Sequence, residues 1–196
     1  MVHQKAARQG DKTKQNIVTA LSQRLRSVTY QQVTVGDLMR QAAVGRSTFY
    51  RHFTSKLDVL LLLHGNRFGQ MLADYQTEAD WLADHAGASL RQFFELVGTN
   101  SNLRRSLGYT LGADSELAKH KIGQLIADRI ESSLRQALPQ SELTVPLPLL
   151  SAAVAANLQS QVVAFKEPTH RSDAQVFADQ LQRLNRGLIL AALGRI

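Results

Sequence analysis

The chain has 196 residues, 44% of them hydrophobic and 20% charged, which is apolar material enough for a packed core in one large or two small domains. It has no cysteine, which excludes disulfides and thiolate-held metals. The net charge of +7 is uneven: residues 1–56 hold ten Lys/Arg against two Asp/Glu, whereas residues 57–196 hold thirteen against fourteen. Polyanion-binding character therefore concentrates at the N-terminal end.

Residues 1–11 are polar and basic without an apolar segment, so no secretory leader is expected. The longest apolar runs, 59–63 and 188–193, are too short to span a bilayer, and a cytoplasmic protein is expected. Residues 1–12 have no periodicity and read as a flexible basic arm. Ile17, Leu21, Leu25 and Val28 form one apolar stripe and predict a first helix over 13–27. After a loop, Thr34 is placed to cap a second helix over 34–42, with Asp37 at its third position suiting the positive helix end. A third short helix covers 46–52. Val35, Leu38, Met39, Ala42, Val44, Phe49 and Phe53 can pack the two together. Arg46, Ser47, Thr48, Tyr50, Arg51 and His52 are then left to face outward. Two short helices joined by a tight turn are a helix-turn-helix, whose second helix lies in the major groove.

Thr54 or Ser55 can cap a fourth helix over 56–76. Its start is apolar nearly all round (Leu57, Leu60, Leu61, Leu62, Leu63) and requires enclosure; its end keeps one stripe (Phe68, Met71, Leu72, Tyr75). It reads as a strut between the N-terminal unit and the rest. A polar stretch over 77–85 follows, then helical patterns at 86–99, 103–111 and 115–138. Prolines between 139 and 148 break the chain. Two last helices cover 149–166 and 172–193. Leu150, Val154, Leu158, Val162 and Phe165 make one stripe there, and Phe177, Leu181, Leu184 and Leu188 another. The expected fold is all-α with about nine helices: a DNA-binding unit over 1–56 and a helical unit over 57–196, to which the family resemblance given below assigns effector binding and dimerisation.

No constellation for covalent chemistry stands out. The six histidines form no His-x-x-x-His pair and no His-Glu-x-x-His motif, and no Gly-rich phosphate loop or Gly-x-Ser-x-Gly elbow occurs. No metal, cofactor or catalytic residue is expected.

Residues 43–56, Ala-Val-Gly-Arg-Ser-Thr-Phe-Tyr-Arg-His-Phe-Thr-Ser-Lys, resemble the signature of the tetracycline-repressor (TetR/AcrR) family of bacterial transcriptional regulators. Thr48, Tyr50, His52, Phe53 and Lys56 fall on its pattern, and the match extends over about 13–62. Two positions depart from it. Ala43 stands where the family places a turn glycine, and Gly45 where a Ser-like cap is common.

The resemblance implies DNA-backbone contacts from Thr48, Tyr50 and His52, and a phosphate grip from Lys56. Thr34, Lys12 and Lys14 are placed to add phosphate contacts. Arg46 and Ser47, on the leading turn of the third helix, are expected to read bases, with Tyr50 beside them. The resemblance further implies a homodimer on a palindromic operator, joined through Leu150, Val154, Leu158, Val162, Phe177, Leu181, Leu184 and Leu188 of the last two helices. It also implies a pocket for an apolar or aromatic small-molecule effector, whose candidate walls are His64, Phe68, Trp81, Phe93, Phe94, Tyr109 and Asn157. A repressor released by that effector is the expected function. The rivals are a nonspecific DNA-packaging protein, a ligand-binding scaffold with a decayed DNA-binding part, and a helical enzyme.

Overall fold

The computed structural model describes residues 2–107, 110–165 and 174–195, with side chains described from residue 10 onward except at 163. Among these residues there are nine helices of seven residues or more, one of four, and no strand. They run α1 (Val2–Arg24), α2 (Val35–Gln41), α3 (Arg46–His52), α4 (Lys56–Met71), α5 (Glu78–Trp81), α6 (Ala88–Thr99), α7 (Ser101–Leu107), α8 (Ser115–Ala137), α9 (Leu147–Ala164) and α10 (Ala174–Ala192).

The expected helices appear, with three informative differences. Helix α1 starts at Val2, so residues 2–12 continue the helix instead of forming a flexible arm. Their Ala, Gln, Lys and Arg content is strongly helix-forming, and only Gly10 interrupts it. Helix α4 stops at Met71, short of the expected residue 76. The stretch 77–85, read as merely polar, contains α5, a single turn capped reciprocally by Thr77 and Asp80. Parts of the expected helices at 108–109, 166 and 172–173 lie outside the described residues.

The N-terminal helices pack as their pattern dictates. Ile17 and Leu21 of α1, Leu25 just beyond it, Leu38 of α2, and Phe49 and Phe53 at α3 are buried together with Leu57 and Leu60 of α4. Thr34 caps α2: its hydroxyl accepts from Asp37 N–H at 3.1 Å, while Asp37 accepts from Thr34 N–H at 3.1 Å. Ser55 caps α4 with Asp58 in the same way. Gly45 begins α3 with no side-chain cap.

Between α2 and α3, Ala43 has φ +52°, the one non-glycine residue in the left-handed region among those described. A β-carbon there meets the following carbonyl, which costs roughly 1–2 kcal/mol. Ala43→Gly is therefore expected to raise unfolding stability by about 1 kcal/mol in urea titration, once glycine's greater unfolded freedom is offset. A destabilised variant would contradict this account of the turn.

Helix α4 packs against α1 on one side and against α6 and α8 on the other, so it bridges the N-terminal helices and the body. In the body, α8 lies on α9, and α10 lies on α6 and α9. Helix α10 also clasps the chain between α5 and α6. Gln182, fully buried, donates to the carbonyls of Trp81 (3.0 Å), Ala83 (3.1 Å) and Asp80 (3.3 Å) and accepts from the Tyr75 hydroxyl (2.8 Å). Arg186 donates to Leu82 O at 2.8 Å, and Asp179 accepts from Ala86 N–H at 2.8 Å.

Candidate nucleic-acid interface

Helix α3 is one turn of apolar anchor beneath one row of polar side chains. Phe49 and Phe53 point into the core, with their rings 5.9 Å apart. Arg46, Ser47, Tyr50 and Arg51 are exposed, and Thr48 and His52 are half-buried at the flanks. Tyr50 is 46% exposed, a large aromatic left in water. Its ring rests edge-on against Phe49 at 5.3 Å, and the Arg46 guanidinium lies over its face at 5.6 Å. This stacking holds the arginine fork on the helix surface. Lys12 and Lys14 on α1 are also exposed. Gly10 of α1 lies beside the end of α3, where a β-carbon would be in ordinary contact with His52 Cε1 at 3.7 Å.

Two expected phosphate contacts are otherwise engaged. The Thr34 hydroxyl is taken up by its cap, donating to Asp37 at 2.8 Å. Lys56 does not project freely: its ammonium donates to Val33 O at 2.7 Å and Tyr30 O at 2.9 Å and sits 4.1 Å from the Tyr30 ring centroid. It ties the loop before α2 to the start of α4, leaving one of its three hydrogens uncommitted. Burial lowers its pKa, and the carboxylate of Asp114 opposes that.

Tyr30 then reaches the body, donating its hydroxyl to Asp114 at 2.7 Å. Burial and that hydrogen bond push its pKa upward, so the phenol stays a donor. Nothing in the sequence signals this pairing, whose partners are 84 residues apart.

Residues 25–63, from the end of α1 through the first half of α4, match the family model of bacterial regulatory proteins, tetR family. That stretch is similar to the tetR family, and the match leaves the helical body outside it.

A curated relative is the HTH-type dhaKLM operon transcriptional activator DhaS of Lactococcus lactis subsp. lactis (strain IL1403), 29% identical over 69 residues; the match spans 35% of this chain and 37% of that protein. Two solved structures share the fold. One, assigned to the TetR family, is from Syntrophomonas wolfei str. Goettingen, with a TM-score of 0.62, 16% identity, and coverage of 95% of this chain and 97% of that one. The other is the transcriptional regulator FadR from Bacillus subtilis in complex with stearoyl-CoA, with a TM-score of 0.56, 18% identity, and coverage of 87% and 96%.

In the body the expected effector walls separate into two groups. His64, Phe68, Phe93 and Phe94 are buried in a continuous aromatic chain: His64 stacks on Phe68, Phe68 meets Phe93 at 6.3 Å, and Phe94 joins Phe165 and Phe177. Trp81 lies elsewhere, 4.5 Å from Tyr75, on a narrow, mostly apolar cavity that also involves Met71, Ile130, Leu158 and Asn185. Its free space is about 10 Å³, room for at most one water. The Trp81 indole N–H is buried without an acceptor. Asn157 does not line this cavity; its amide donates to Asn185 at 2.8 Å, joining α9 to α10. Tyr109 lies outside the described residues.

His64 is fully buried. The Ser106 hydroxyl donates to Leu103 O at 2.6 Å, so it accepts from the His64 Nε2–H at 3.2 Å, and His64 Nδ1 is left without a partner. Burial, and then the like charge of Arg67, lowers the His64 pKa from 6.5 to about 3. The unfolded chain therefore binds a proton that the folded chain refuses. This contribution to stability is complete above about pH 6.5 and declines toward pH 3, by up to about 1.4 kcal/mol per pH unit. Between pH 7 and 5, wild type is expected to lose more unfolding free energy than His64→Gln does. Equal losses would contradict this.

The expected dimer residues also divide. Leu150, Val154, Leu158 and Val162 of α9, and Phe177 and Leu181 of α10, are buried in the chain's own core. Helix α9 is apolar nearly all round, so the regular stripe marks its inward face. The outward face carries Leu149, Ala152 and Ala156. On α10, Leu184 is 51% exposed and Leu188 half-buried, flanked by exposed Val176, Gly187 and Ala191.

Proposed function

We propose that the protein is a transcriptional regulator that reads duplex DNA with α3 and releases it when a small molecule binds the body. The exposed row of Arg46, Ser47 and Tyr50 above buried Phe49 carries this reading. Such a row suits base edges in a major groove. Thr48, His52, Lys12 and Lys14 flank it and supply backbone contacts. Thr34 and Lys56 act chiefly by fixing α2 and the start of α4, with the remaining Lys56 hydrogen available to a phosphate. The functional division stays at 56/57.

One short helix reads few bases, so we place the protein on DNA as a homodimer with a two-fold symmetric site. Leu149, Ala152 and Ala156 with Val176, Leu184, Gly187 and Leu188 form the joining surface; their small members permit close helix approach. The effector is a small apolar molecule carrying one hydrogen-bond acceptor for the Trp81 N–H, admitted when the clasped 78–86 segment yields. FadR, similar in fold, was solved with stearoyl-CoA, in keeping with a body that takes up a small molecule. We propose repression in the cytoplasm, because occupying a promoter blocks polymerase without any activating surface. The relative DhaS is named an activator, so a promoter–reporter assay with and without the protein gives the sign.

Selection from a random duplex library tests the core of this. A two-fold symmetric consensus is expected, bound by a dimer in sedimentation. Binding with no selected sequence would instead mark a packaging protein.

A further inference from the structure

An open cleft of about 630 Å³ lies where α1, α4 and α8 meet. Arg26, just beyond α1, Arg67 of α4 and Arg129 of α8 line it among neutral amide and hydroxyl side chains, and no lining residue is acidic or aromatic. Among the described residues none of the three arginines forms an ion pair. Arg67 is half-buried and donates only to the Ser22 hydroxyl, at 3.3 Å. Burial, and then the like charge of Arg26, depresses its pKa. Arg26 and Arg129 are exposed and Arg67 is half-buried, so three cations without a paired carboxylate open onto one cleft, an arrangement that favours a bound anion. The lining takes nothing from α2 or α3, so the cleft is apart from the DNA-reading row. It is also apart from the cavity at Trp81, whose lining is uncharged.

We propose that this cleft binds a small phosphorylated anion, held by the forks of Arg26, Arg67 and Arg129. Guanidinium forks match phosphate oxygens two at a time. The absence of aromatic and acidic walls selects a compact, multiply charged ligand over a fatty or cationic one. The volume is that of a small-molecule site. The bound anion clamps α1, which supports the helix-turn-helix, to α4 and α8 of the body, and so stiffens the junction between them.

The test is calorimetric titration of the full-length chain with sodium pyrophosphate at constant ionic strength. One saturable site per chain is expected, with a rise in the thermal midpoint. Arg67→Gln and Arg129→Gln are each expected to weaken binding about tenfold, while Arg135→Gln, on the outer face of α8, leaves it unchanged. Parallel titrations with orthophosphate and glucose 6-phosphate separate a free inorganic anion from a sugar phosphate, and saturable binding of either supports the site. Heat no different from that of sodium chloride would overturn the proposal, and this arm needs no variant to fold. Binding lost in Lys12→Gln or Lys14→Gln but kept in Arg67→Gln would overturn it too, by placing the anion on the DNA surface. Neither result bears on whether α3 reads DNA.

Discussion

Gln182→Ala is expected to be among the most damaging substitutions in the body, lowering unfolding stability by about 3 kcal/mol. One fully buried amide satisfies the Tyr75 hydroxyl and the carbonyls of Asp80, Trp81 and Ala83. Alanine leaves the buried Tyr75 hydroxyl and Trp81 carbonyl unpaired, removes the bonds to Asp80 and Ala83, and adds a void. Urea unfolding measures the loss. The chain has one tryptophan, Trp81, so its emission reports the same event locally. A red shift is expected as the clasped segment loosens. A variant as stable as wild type, with unshifted emission, would show that α10 does not hold this segment in place.

Arg46→Ala is expected to lower discrimination at the base that Arg46 reads by about 1–3 kcal/mol, with little change on random duplex. The side chain is exposed and already laid across the Tyr50 ring, so its loss removes a preorganised fork without disturbing the core. Lys12→Gln and Lys14→Gln should act differently. Each should weaken all duplexes alike and reduce the slope of log affinity against log salt by about one. Gel-shift titrations on a selected site and a scrambled one separate the two behaviours. Uniform losses from Arg46→Ala would mean that it touches only phosphates.

The N-terminal unit could be read from the sequence because local chemistry decides it. Period and capping settle α2 and α3: Thr34 and Asp37 form the expected cap, and Phe49 and Phe53 turn inward as their spacing requires. The unusual Ala43 marks the turn where positive φ is found. What escaped depends on distant partners. Lys56 looks like a free cation until the carbonyls of Tyr30 and Val33 are folded against it. Tyr30 gives no hint of Asp114, nor Gln182 of its three carbonyls. Helix α9 is ambiguous in the sequence for a further reason. When both faces are apolar, periodicity cannot say which one meets the chain's own core, and the regular stripe through Leu150 and Val154 is the buried one.

The central claim is that α3 sits in a DNA groove, and the absence of native cysteine allows a direct test. Ser47→Cys places a unique thiol on the exposed face of α3, and an iron chelate tethered there cuts nearby sugars. Two clusters of cuts are predicted, symmetric about the centre of the selected site and about one helical turn or a multiple apart. The same chelate at Ser132→Cys, exposed on α8, should leave the duplex uncut. Intact DNA from the α3 probe, or localised cuts from the α8 probe, would contradict the claim.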